Sequence, residues 1–203
     1  MIEWISFLVS TMIGTASPIG KCDPIDGPKL HWSRADRKQL RRDIQDAAIE
    51  MGAAPVFRAY LDAVAVRESS MKGSRWHDGG KGLGAFGLNL ESHADKWPGT
   101  DEHPAFCNPR ASTVVVQAIA HGCLDKFSHG TGALVAWDLQ ACFAGRFECI
   151  GIEDECTAEQ QDRTTSAICS RMEARGFSCY EPISKKDLGP LVPMNQRRAF
   201  AGL

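Results

Sequence analysis

A mainly α-helical domain, α+β at most, with long loops and disulfide staples is the fold class this chain predicts. Three observations carry that expectation. Apolar residues recur at helical spacing in five or six segments. Alternation of the strand type is scarce. Eight cysteines, an even number for 203 residues, include no Cys-x-x-Cys pair, and the spacing of Cys142, Cys149 and Cys156 does not suit a compact zinc knuckle. Disulfides made in an oxidising compartment are the better reading, though the sequence leaves their connectivity open. The length allows one domain with a real core. Charges nearly cancel, 23 Lys and Arg against 25 Asp and Glu, so no footprint for a nucleic-acid groove is present.

Residues 1–17 hold the apolar run Ile5 to Ile13 followed by Gly14-Thr15-Ala16-Ser17, small residues suited to signal-peptidase cleavage. The run is too short to span a bilayer, so no stable membrane insertion is expected. A signal peptide is the expectation and a buried amino-terminal helix the alternative. Residues 18–32 are rich in Pro, Gly and Asp and read as an extended linker. Ser33-Arg34-Ala35-Asp36 has capping form ahead of a helix with the stripe Leu40, Ile44, Ala47, Ala48, Met51. Its other face (Arg37, Lys38, Arg41, Arg42 and Asp43) reads as solvated. Pro55 suits the first turn of a second helix, apolar nearly all round and therefore buried, running through Arg67.

That helix delivers Glu68 at its carboxyl end. A lone carboxylate leaving an apolar helix makes a good general acid, because burial and the helix dipole both disfavour its ionised form. Downstream, Gly84-Ala85-Phe86-Gly87-Leu88-Asn89 supplies glycines that let a substrate approach the backbone. Glu91 reads as a helix-start charge. The loop with Asp101, Glu102 and His103 offers too few ligands for a metal, and neither metal nor cofactor is expected. Ser112 is expected to cap a helix through Phe127, with His121 and His129 at the surface or in loops. A further helix is expected over Ala133 to Ala144. Thr157-Ala158-Glu159-Gln160 has capping-box form for a helix to Arg175. Residues 182–203, with Pro190 and Pro193, read as an extended tail.

Glu68-Ser69-Ser70, Gly84-Ala85-Phe86-Gly87-Leu88 and Ala133-Leu134-Val135-Ala136-Trp137-Asp138 together resemble the signatures of lytic transglycosylases and goose-type lysozymes. The resemblance implies a lysozyme-like catalytic domain over residues 33–181, with a cleft between helices and a short hairpin after Glu68. It implies cleavage of the β-1,4 bond between N-acetylmuramic acid and N-acetylglucosamine in peptidoglycan strands, by a secreted, periplasmic or envelope monomer. Glu68 would be the catalytic acid. Trp76-His77-Asp78 resembles the Trp-Gly-Asp loop of goose-type enzymes, with Trp76 stacking on a sugar and Asp78 positioning water. Ser69, Gly84, Phe86, Gly87, Asn89, Trp137 and Asp138 would line the substrate groove. The chain departs from the family where Leu90 replaces a Gln, leaving Asn89 to supply the amide. Trp137 stands for a Tyr that often bonds the catalytic Glu, and Asp138 replaces the usual Asn. A transglycosylase needs one carboxyl group; a hydrolase would use Asp78 as well. A wall-binding module without chemistry is the reading from another class.

Overall fold

The computed structural model describes residues 17–24, 28–74, 76–77, 82–98, 103–128, 130–145, 150 and 167–203. The apolar run near the amino terminus, Asp78, Asp101, Glu102, His129, Cys149, Cys156 and the capping box at Thr157 lie outside them.

The described chain is mainly helical, as expected. Helix α1 spans Arg34–Glu50, and Ser33 opens it with the anticipated capping box to Asp36. Its stripe Leu40, Ile44, Ala47 and Ala48 is buried. Gly52, in the left-handed conformation, follows, and Pro55 starts α2, Pro55–Ser69. Three two-residue strands form an antiparallel sheet in the order β1 (Trp76–His77), β2 (Gly82–Leu83), β3 (Leu88–Asn89). Helix α3 (Leu90–His93) follows directly, with Asn89 Oδ1 accepting from the backbone N–H groups of Glu91 at 2.9 Å and Ser92 at 3.2 Å.

Helix α4, Pro109–Phe127, is the centre of the molecule, packing against α1 and against three later helices, α5 (Ala136–Phe143), α7 (Lys185–Leu188) and α8 (Arg197–Ala201). Its start differs from the expected one. Asn108 caps it through Arg110 and Ala111, whereas Ser112 is buried one turn in and bonds back to Pro109 O at 3.1 Å. Pro109 is favourable at the first helical position, and Asn is at least as good a cap as Ser, so the helix begins earlier. The expected helix from Ala133 also shifts. Ala133–Leu134 is strand β4, and α5 covers Ala136–Phe143. The reason is a distant partner, β5 (Ile183–Ser184), which pairs Leu134 with Ile183. Residues 167–173 are helical, α6.

The two segments read as extended are both built into the fold. In the linker, Cys22 is bonded to Cys107, and Trp32 Nε1 donates to Ser74 Oγ at 2.8 Å, which in turn donates to buried Asp23 at 2.9 Å. Closing a loop 85 residues long by a disulfide is worth on the order of 4 kcal/mol. Cys123–Cys142 ties α4 to α5, and Cys169–Cys179 ties α6 to the segment before β5. The tail forms β5, α7 (Lys185–Leu188) and α8 (Arg197–Ala201). Ile183 and Leu188 are fully buried, each stabilising by about 1.5–3 kcal/mol. Buried Gln117 in α4 donates to Leu188 O at 2.9 Å and Pro190 O at 3.0 Å, satisfying both itself and the tail backbone. His121, expected at the surface or in a loop, is half-buried in α4 and lies 3.0 Å from Gly189 O through Nε2.

Candidate active site

Helix α2 is buried on almost every side, and Phe57 stacks on Tyr60 with centroids 5.8 Å apart. The helix ends in a turn whose two residues, Ser70 at φ 53° and Met71 at φ 58°, are both left-handed without being glycine. Ser70 N–H bonds Val66 O and Met71 N–H bonds Ala65 O, the paired pattern that closes helices where glycine is usual. Such backbone costs about 1–3 kcal/mol per residue and is held by its surroundings, here the buried Met71 side chain. Ser69 belongs to this turn and not to the groove. It is 1% exposed, donates to Ala65 O at 2.9 Å and accepts from Lys72 N–H at 3.1 Å.

Glu68, one residue earlier, opens onto a cleft of about 590 Å³ shared with Gly87, Asn89, Ser92, His93, Trp137, Gln140 and Phe143. Three more of the sequence candidates, Gly87, Asn89 and Trp137, therefore meet Glu68 on one surface. Others do not. Phe86 is fully buried in the core. Gly84, at φ +81°, is needed for a close crossing of chains: an added Cβ would lie 2.1 Å from Phe106 O. Asp138, in the first turn of α5, does not line the cleft. The backbone of Trp76 opens β1, opposite Leu83, and its side chain, like Asp78, lies outside what the structure describes.

The surroundings of Glu68 are mixed where the sequence suggested an apolar setting. Arg67 Nη1 forms an ion pair with Glu68 Oε1, both side chains about a quarter exposed. The guanidinium also suits the last turn of a helix. Gln140 Nε2 donates to Glu68 Oε1 at 3.4 Å, and Tyr60 O–H donates to Gln140 Oε1 at 3.3 Å. Burial first, then the Glu68 charge, push the Tyr60 hydroxyl well above its ordinary value, so it keeps its proton and must donate. That direction turns the Gln140 oxygen to Tyr60 and its NH₂ to the carboxylate. Gln140 therefore makes the contact that the sequence suggested for position 137. Also lining the cleft, His93 stacks on Phe143, centroids 6.0 Å apart, and burial holds its imidazole below the usual value.

Gln140 and His93 were not legible as site residues. Gln140 is a lone amide on a mostly apolar helix and reaches Glu68 across 72 positions. Among the described residues no group of three or more His, Cys, Asp or Glu side chains could hold a metal. No described helix is long and apolar enough to cross a membrane. Compared with known proteins, the chain matches no protein-family model, no curated protein and no solved structure at a significant level.

Proposed function

We propose that the chain cleaves peptidoglycan as a lytic transglycosylase, with Glu68 as its single acid and base. The observation that carries this reading is the convergence of Glu68 with Gly87, Asn89 and Trp137 on one cleft of about 590 Å³. A cleft of that size falls in the range used for substrate binding. Trp137 and Phe143 offer apolar faces to sugar rings, while Asn89 and Ser92 offer polar atoms to their hydroxyls. Glu68 gives its proton to the glycosidic oxygen as the bond to the anomeric carbon breaks. The resulting carboxylate takes the proton of the muramoyl 6-hydroxyl, whose oxygen closes on that carbon to leave a 1,6-anhydro ring. Glu68 ends protonated, and no water is consumed. This mechanism requires that substrate binding break the Arg67–Glu68 ion pair, so that Glu68 carries the proton it donates. The three disulfides among the described residues suit a secreted or envelope protein.

A second reading, a wall-binding module on the same scaffold without chemistry, draws on the Arg67–Glu68 ion pair. Digestion of purified cell wall followed by mass spectrometry of the soluble fragments separates the two. Anhydro-muramoyl ends support the transglycosylase. Sedimentation with the wall and no soluble fragments supports the binding module. Reducing ends at every cut would instead indicate hydrolysis by water, the role expected of Asp78.

A further inference from the structure

The basic stripe of α1 borders a depression of the fold, with Arg34 and Lys38 exposed and Arg37 and Arg41 partly buried. Arg34, Arg37, Lys38 and Arg41 stand at i, i+3, i+4 and i+7, one stripe of the helix. The stripe lines a second depression of about 460 Å³, separate from the cleft, with Val66, Ser70 and Met71 beside it and Arg171 from α6 contributing a fifth cation. Buried Asp62 binds Arg41 at 2.7 Å and Arg175 at 2.8 Å, which takes up Arg41. Among the described residues, no ion pair engages Arg34, Arg37, Lys38 or Arg171. Arg37 Nε is buried and has no hydrogen-bond partner there. Like charges three and four residues apart destabilise a helix, and a protein of net charge −2 gathers them here.

We propose that this groove binds a phosphate-bearing ligand. Two helices bring guanidinium groups to one depression, and their forked donors match the oxygens of a phosphate. The four cations without an ion pair among the described residues call for more than one negative charge, which a pyrophosphate or the successive phosphates of a polymer supply and a single carboxylate does not. The proposal is independent of the reaction assigned to Glu68.

Isothermal titration of the intact protein with inorganic pyrophosphate, and in parallel with synthetic poly(glycerol phosphate), tests it. Saturable binding is expected, weakened by salt. Arg37→Ala and Arg171→Ala should each lower the affinity about tenfold. Arg42→Ala removes the same charge from the same helix outside the groove and should leave the affinity unchanged. Tight pyrophosphate binding identifies a free phosphate as sufficient, whereas binding of the polymer alone identifies a phosphodiester chain; both support the site. Absence of saturable binding to either probe overturns it, as does an equal loss in Arg42→Ala and Arg37→Ala. Circular dichroism of each variant confirms that these partly or fully exposed positions leave the fold intact.

Discussion

Tyr60 keeps its proton in the core, and this orients the amide of Gln140 toward Glu68. Gln140→Leu should strand the buried Tyr60 hydroxyl and cost about 1–3 kcal/mol, read as a lower thermal midpoint. Tyr60→Phe added to Gln140→Leu should recover most of that loss, because both partners are then apolar. Additive losses in the double variant would remove the coupling. Glu68 itself was legible, since a carboxylate at the end of an apolar helix stands out against its neighbours. Gly87 and Asn89 were legible through the glycine segment. The same segment misled at Gly84 and Phe86, because a glycine required by backbone crossing and one required by substrate look alike in a sequence. Gly84 meets Phe106 O, a partner on a later segment of the chain, which no local pattern announces.

Helices α1 and α2 were readable because caps, proline placement and apolar period all agree within a few residues. What lay beyond local signals was set by distant partners. Strand β4 exists because β5 pairs with it, and the tail folds because Gln117 and the core accept it. Asp62 is the clearest case within an element. A carboxylate in the middle of an apolar helix is held by Arg41 and Arg175 from two other segments. The Arg41 contact is one of charge and not of direction, since neither atom has a hydrogen-bond partner. Asp62→Ala should lower stability by about 1–3 kcal/mol in denaturant unfolding, a loss moderated because both arginines are partly exposed and can turn to water. An unchanged midpoint would show that the pair contributes nothing to α2.

Across the whole molecule, burial holds both His93 and His121 below the ordinary histidine value of 6.5. The native state then binds fewer protons at these sites than the unfolded chain, so stability is full above that value and declines as pH falls beneath it. Thermal midpoints should drop between about pH 7 and about pH 5, and His93→Gln with His121→Gln should flatten the decline. A midpoint that rises on acidification would contradict this. The central claim concerns one side chain on one cleft, and the direct measurement compares wild-type and Glu68→Gln protein on purified peptidoglycan by mass spectrometry. The wild type should release 1,6-anhydro-muramoyl fragments, and Glu68→Gln should release them at least about a hundredfold more slowly at an unchanged thermal midpoint. Equal release by the two proteins would take the reaction away from Glu68.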